Sequence, residues 1–400
     1  MASQPNLVQI VGRELNGVDS AQLRRFVERL FAHDAGIEEL TPSTRAAVAR
    51  QCYEFFAVRD QPSKIRVTPA PGGDGIVVET LTSDAPFIVD SLIECFRSLG
   101  ARVRSILHPI YRVARTADGH IASLERNSAT EATESLVRAD LDPPAAFSLE
   151  DIEGQVRETL AEVELATRDF ETMTARALQI CEETAPHREL IDVRDFLRWL
   201  VQGGFVFLGY RRYVTTGTGA DARLTAETDA DLGIMRERDH SRFRNSVELN
   251  ETSAQRRKLF FEGAPLVITK VAVESHVHRR RPMDSVLVRR HAANGRALEF
   301  DNFVGLFTSK AYAEEAEHIP ILRSKLRALL DAEKAAPGSH DYKELVETFN
   351  SFPKDELFRA SGVELQQELR LIVDFREEHP ARLAVLPDLH RGQVVALVVL

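Results

Sequence analysis

Gly75-Ile76-Val77-Val78-Glu79-Thr80, then Thr82-Ser83-Asp84-Ala85-Pro86-Phe87, then the apolar series Ile88, Leu92, Cys95, Phe96 and Leu99 up to Gly100, decide how the first half of the chain is read. The β-branched run predicts a strand. Pro86 suits an early helical position, and Asp84 is placed to cap the helix. The apolar series keeps to one face of a helix, and Gly100 is a natural stop.

Residues 102–113 continue as a second strand rich in Val and Ile. Ala117-Asp118-Gly119-His120 is a hairpin turn signal leading to a third strand over 120–125. Glu134 to Asp140 reads as a fourth strand after a polar gap. A long helix follows from Ser148, where Ser148 and Asp151 form a capping-box pair, and Ile152, Val156, Leu160, Val163 and Phe170 form its stripe until Pro186 interrupts. The order around 75–180 predicts an α+β ferredoxin-like plait, βαββαβ.

Upstream, residues 20–59 predict two helices. Ser20 is the expected N-cap of the first, and Thr41-Pro42 opens the second. Downstream, a helix from Leu190 to Val201 ends at Gly203-Gly204. A second sheet is expected from Phe205–Tyr210, Pro265–Val273, Met283–Arg290 and Arg296–Phe307, with a hairpin turn at Ala293-Asn294-Gly295. Residues 215–260 are polar and irregular. Helices are expected at about 318–334, 340–350 and 362–378. Arg382–Leu386 reads as a strand, Asp388–Gly392 as a turn, and Val394–Leu400 as an apolar strand. An exposed apolar strand without a polar tail invites aggregation, so the chain is expected to be cut inside a domain.

The 400 residues predict two to four domains. With 44% hydrophobic and 28% charged residues, the composition is that of a globular protein. A net charge of −10 argues against a nucleic-acid binder, and the basic runs His278-Arg279-Arg280-Arg281 and Arg256-Arg257-Lys258 are short. Cys52, Cys95 and Cys181 are widely spaced, form no CxxC pair and suit a reducing compartment. No apolar run approaches a membrane span, and Met1–Leu15 lacks a signal-peptide core. These features point to a cytoplasmic protein without nucleic-acid or membrane partners.

No G-x-G-x-x-G, Walker A or G-x-S-x-G motif occurs, and Gly217-Thr218-Gly219 lacks the third glycine. No catalytic or cofactor-binding residue is therefore identified, and no cofactor is expected in this portion. His276 and His278, read on one face of a strand, are with Asp284 the residues that a metal half-site would use, and His291 is the next ligand type in sequence. The expectation is nonetheless a polar strand end with no metal. His108 and His187 read as structural, and Asp84, Asp90 and Glu94 make no convincing acid–base pair. Ser83, Asp84, Ala85, Pro86 and Phe87 form a candidate effector loop, because the helix N-terminus after it favours a carboxylate. Phe87 stands where close approach of an amino acid favours glycine.

Asp84-Ala85-Pro86-Phe87-Ile88-Val89-Asp90-Ser91 with Ser105–Ile110 resembles the first ACT-type domain of the large bacterial NAD-dependent glutamate dehydrogenases. Phe205–Tyr210, Pro265–Lys270, Val277-His278-Arg279, Phe303–Ser309, Ser339-His340-Asp341 and Phe352–Phe358 are similar to later segments of that family, in the same order. The resemblance implies a helical segment over 1–60, an ACT-type domain over 62–180, a PAS-like domain over 188–310, a helical segment over 311–380 and the start of a second ACT-type domain over 381–400. It also implies that the full-length enzyme converts glutamate and NAD to 2-oxoglutarate, ammonia and NADH. This portion would be an inactive regulatory and assembly region that homo-oligomerises, contacts its own catalytic region and takes an amino-acid effector. In the fourth strand, Ser135–Asp140 departs from the aromatic-rich pattern of the family. A free-standing ACT/PAS amino-acid sensor and an independent enzyme built on His276, His278 and Asp284 are the alternatives.

Overall fold

The structure, a computed structural model, describes all residues except 1–3, 16–17, 33–40, 143, 145, 217–222, 237–245, 249–263, 292–297, 379–382, 388–393 and 399–400. The expected turns at Ala293-Asn294-Gly295 and Asp388–Gly392, the run Arg256-Arg257-Lys258 and the Gly217–Gly219 segment lie largely or wholly outside the described residues. Two compact units emerge: Met1–Asp169 with Val273–Pro282, and Phe170–Ala272 with Met283–Leu400.

The first unit opens with helices α1 (Gln4–Glu14), α2 (Ser20–Leu30) and α3 (Pro42–Phe56). Thr41 caps α3 by accepting from the Thr44 N–H, with Pro42 in the first turn as expected. Asp19, not Ser20, caps α2: its carboxylate accepts from the Ala21 N–H at 3.0 Å. A carboxylate at this position also faces the positive end of the helix dipole, which a serine hydroxyl does not exploit.

Next come β1 (Lys64–Pro69), β2 (Ile76–Ser83), α4 (Ile88–Ser98), β3 (Val103–Leu107), β4 (Ile110–Arg115), β5 (Ile121–Leu124), β6 (Ala132–Leu141) and α5 (Leu149–Arg168). The sheet order is β1-β2-β6-β4-β5, with β3 also paired to β6. β3 and β4 occupy one strand line broken at His108-Pro109: β3 pairs with 138–141 of β6 and β4 with 132–135. β2 and the β3/β4 line are both antiparallel to β6, so they run parallel to each other with β6 between them. With α4 as the crossover this is a split βαβ unit.

The structure corrects the expected βαββαβ order. No helix separates β5 from β6, and the long helix follows β6. The intervening residues 125–131 close on themselves, with the Glu131 carboxylate accepting from the Arg126 and Ser128 N–H groups. Those bonds satisfy the backbone in a turn too short for a helix. At the hairpin between β4 and β5, Gly119 has φ +82, and a Cβ there would lie 2.3 Å from the Arg59 carbonyl oxygen. Only glycine fits.

On one pleat, Glu79, Leu81 and Ser83 pair with Arg138, Leu136 and Glu134, so these side chains share a face. Leu81, Tyr111, Val113 and Leu136 on this side join one apolar core with α1–α3. Phe26 stacks on Tyr111 with centroids 4.9 Å apart and planes 7° apart, and the Tyr111 hydroxyl donates to the Phe26 carbonyl at 3.1 Å. Ser148 and Asp151 form the full reciprocal capping box of α5.

The second unit contains α6 (Phe170–Glu183), α7 (Ile191–Trp199), β7 (Phe205–Thr216), β8 (Arg223–Ala226), β9 (Leu232–Gly233), β10 (Ser246–Glu248), β11 (Leu266–Glu274), β12 (Pro282–His291) and β13 (Leu298–Phe307). Its antiparallel sheet is ordered β10-β8-β7-β13-β12-β11, with β9 on β7. The helix expected to run unbroken from Ser148 stops at Arg168, with Asp169 as its C-cap, and α6 begins at Phe170. The Gly203-Gly204 stop is as expected: Gly203 has φ +97, and a Cβ on Gly204 would lie 2.7 Å from the Trp199 ring. Helices α8 (Ser309–Ala313), α9 (Pro320–Ala332), α10 (His340–Ser351), α11 (Lys354–Arg359) and α12 (Gly362–Glu378) follow, then the hairpin of β14 (Leu383–Pro387) and β15 (Val394–Val398). Phe307 stacks on Phe358 of α11 at 4.2 Å, so that short helix is held by ring packing that its sequence alone did not announce.

Phe26→Ala is expected to destabilise the first unit by about 3–5 kcal/mol. Tyr111→Phe, which keeps the ring and removes one bond, should cost only about 1 kcal/mol. Urea titration of the two variants, followed by circular dichroism, checks the contrast.

Candidate functional site

The candidate effector loop sits between β2 and α4. Ser83, Asp84, Ala85 and Pro86 line a cavity of about 360 Å³ together with Arg59, Thr82, Leu160, Val163, Glu164 and Arg168. That volume falls within the range of small-molecule sites. Phe87 does not line it. Asp84 does not cap α4 either: its N–H donates to the Thr133 carbonyl at 3.0 Å, and the N-cap position is Phe87 at φ +70, without a side-chain cap. A left-handed phenylalanine is rare and strained. Its ring meets the His278 ring at 5.0 Å between centroids, and that packing holds it in place.

The cavity carries both signs of charge. Asp84 and Glu164 face it from one side of the ledger, Arg59 and Arg168 from the other. Arg59 is committed to the wall: it donates to Glu134 Oε1 at 3.0 Å, to Ser83 Oγ at 3.2 Å and to the carbonyl of Pro62. The Arg168 side chain is half-exposed and lies 3.6 Å from the Asp169 carboxylate. The first N–H groups of α4 have no intrahelical partner and lie beside the loop. Thr82 Oγ1 is buried and has no hydrogen-bond partner among the described residues. A buried hydroxyl in that state ordinarily meets a water or a ligand.

Behind the wall, Glu134 is buried and bonded on both oxygens. Arg115 Nη2 donates to Oε2 at 2.7 Å, and Arg115 also donates to the Phe56 and Gly119 carbonyls at 3.0 and 2.8 Å. One carboxylate thus joins β6, β4, the end of α3 and the loop before α4. Spacing in the sequence did not single out Glu134, Thr82 or Arg168; their roles come from contacts across the sheet.

The metal half-site needs correction. β11 ends at Glu274, so His276 and His278 are on a turn rather than a strand, and His278 has φ +66. The two imidazoles diverge. His278 Nδ1 is 3.2 Å from Asp90 Oδ2, and His276 Nδ1 is 3.0 Å from Glu162 Oε1. Asp284 belongs to the second unit, where Lys270 Nζ is 2.7 Å from its carboxylate; burial holds its pKa above the usual range, against the pull of that lysine. His291 lies at the end of β12. His108 reads as structural and meets Ser135 Oγ at 2.8 Å. The three cysteines are buried, and burial pushes all three thiols up, Cys52 to about 12. None is a thiolate nucleophile near neutral pH.

Two family models match: the ACT1 domain of glutamate dehydrogenase over residues 26–156, and helical motif 1 of glutamate dehydrogenase over residues 319–378. The chain is therefore of the class that joins a glutamate dehydrogenase ACT domain to a downstream helical motif. The NAD-specific glutamate dehydrogenase of Halomonas elongata is 33% identical over 333 residues, which is 78% of this chain and 20% of that protein. That of Pseudomonas aeruginosa is 28% identical over 323 residues, with the same shares of 78% and 20%. That of Mycobacterium tuberculosis is 25% identical over 331 residues, 80% of this chain and 19% of the relative. The chain belongs to the large NAD-specific glutamate dehydrogenase family and matches its N-terminal region. It spans about a fifth of the length of these curated relatives.

Glu134→Ala leaves Arg115 and Arg59 without their shared carboxylate. Removing one partner of a buried pair costs about 3–5 kcal/mol, and that loss is the expected drop in unfolding free energy, measured by denaturant titration.

Proposed function

We propose that this chain is the N-terminal regulatory and assembly region of an NAD-specific glutamate dehydrogenase, and that the cavity beside Ser83–Pro86 binds a free amino acid. The reaction of the complete enzyme is then glutamate and NAD to 2-oxoglutarate, ammonia and NADH, with NAD and the hydride-transfer machinery held elsewhere in the protein. Within this reading residues 188–310 are a PAS-like domain, residues 381–400 open a second ACT-type domain, and the protein is cytoplasmic and homo-oligomeric. No helix among the described residues is long and apolar enough to cross a membrane.

The observation that carries the regulatory reading is the cavity itself. An amino acid presents a carboxylate and an ammonium a few ångströms apart, and the cavity offers both complements. The N-terminus of α4 and Arg168 suit the carboxylate. Asp84 and Glu164 suit the ammonium, and the Thr82 hydroxyl takes either group. The apolar wall of Leu160 and Val163 accommodates an aliphatic side chain. The strained Phe87 fits a switch position, because strain in backbone clusters where conformations are selected.

Thermal melting of the 400-residue chain with each of the common amino acids tests the reading. An effector at a hundred times its Kd stabilises by about 2.7 kcal/mol. Arg168→Ala and Thr82→Val are each expected to weaken its binding about tenfold or more. A panel without any shift, or a shift unchanged in both variants, contradicts the assignment of this cavity.

A further inference from the structure

Helix α5 carries Glu158 and Glu162 one turn apart, on the same face as each other. Glu162 is only 1% exposed. The turn 275–281, which belongs to the same unit, brings His276 to this pair. His276 Nδ1 lies 3.0 Å from Glu162 Oε1 and 3.9 Å from Glu158 Oε1, and one ligand atom from each residue falls within 4.8 Å of the others. Nδ1 is buried and makes no hydrogen bond among the described residues, although the Glu162 oxygen is so close. That oxygen therefore sits beside the ring nitrogen without lying on its donor axis. An imidazole nitrogen and a carboxylate oxygen at this separation are close enough to serve as neighbouring ligands of one ion.

The turn that delivers the imidazole is fixed independently of it. The Ser275 hydroxyl accepts from the Val277 N–H at 3.0 Å, and the His278 N–H donates to Ser91 Oγ at 2.9 Å. Preorganised ligands of this kind favour a metal site. We propose that Glu158, Glu162 and His276 bind a first-row divalent cation, with Zn²⁺ as the probe. One imidazole and two carboxylates are a borderline donor set that suits Zn²⁺ better than Ca²⁺ or Mg²⁺, and water completes the coordination. The bound ion cross-links the turn 275–281 to α5.

Arg280 competes with the ion. Its Nη2 is 3.3 Å from His276 Nε2, and a guanidinium only donates, so Nε2 accepts and Nδ1 carries the ring proton. An ion at Nδ1 needs the other tautomer: the proton moves from Nδ1 to Nε2 and Arg280 turns away. Glu274, 3.7 Å from Arg280 Nε, is a ready partner for it. No net proton is gained or lost in that exchange.

The test is equilibrium dialysis and calorimetry of Zn²⁺ with the metal-stripped 400-residue chain. One Zn²⁺ per chain is expected, with binding weakened at least tenfold in His276→Ala and in Glu162→Gln, and strengthened in Arg280→Gln. Glu158→Gln, on the more exposed ligand, keeps the test sound if Glu162→Gln fails to fold. The exposed group Glu315, Glu317 and His318 is the internal control, through His318→Ala. The proposal is overturned if wild-type protein binds no stoichiometric Zn²⁺, or if binding survives His276→Ala and disappears in His318→Ala.

Discussion

The Glu134 carboxylate is the joint on which the first unit depends. It sits on the central strand β6, beneath the α1–α3 side of the sheet, and holds Arg115 of β4 and Arg59 from the segment after α3. Arg115 then closes the C-terminal carbonyls of α3, and Arg59 reaches Ser83 in the loop before α4. Removing this one carboxylate leaves two largely buried guanidiniums without their shared counter-charge. The helical N-terminus, the sheet and the cavity wall are therefore coupled through a single group. A change in the loop 83–87 has a short physical route to α3, and a change at α3 has the same route back.

Much of this unit was legible in the sequence because its signals are local. The β-branched run at 76–80, the Gly100 stop, the Asp118-Gly119 turn, the Ser148–Asp151 box and the Thr41-Pro42 start each act within one or two turns of chain, and all appear where expected. The failures share a different cause. Asp84 looks like a cap from spacing alone, but the chain leaves β2 with Asp84 tied to Thr133, and the helix begins at Ile88 behind a left-handed Phe87. The break at Asp169 interrupts an apolar stripe that periodicity treats as continuous.

The candidate sites follow the same division. The candidate effector loop was proposed from its position before a helix, and the structure places four of its five residues on a cavity. Of the residues that give that cavity its chemistry, Thr82 comes from the end of β2 and Arg168 from the end of α5, which only tertiary contact brings beside the loop. For the histidines, alternation along a strand predicted a shared face for His276 and His278, but the strand ends first and each imidazole finds its own carboxylate. The one signal in the sequence for the Glu158–Glu162–His276 group was the four-residue spacing of the two glutamates on a helix, and it pointed to a partner more than a hundred residues away only once the chain was folded.

Hydrogen–deuterium exchange of the 400-residue chain, with and without each amino acid that raises its melting temperature, tests the central claim most directly. Slowed exchange is predicted over residues 59–63, 82–88 and 160–168, the segments that line the cavity, with a smaller effect at the end of α3 carried by the Glu134 joint. Protection that appears elsewhere in the chain, or no protection with any amino acid, would contradict that claim.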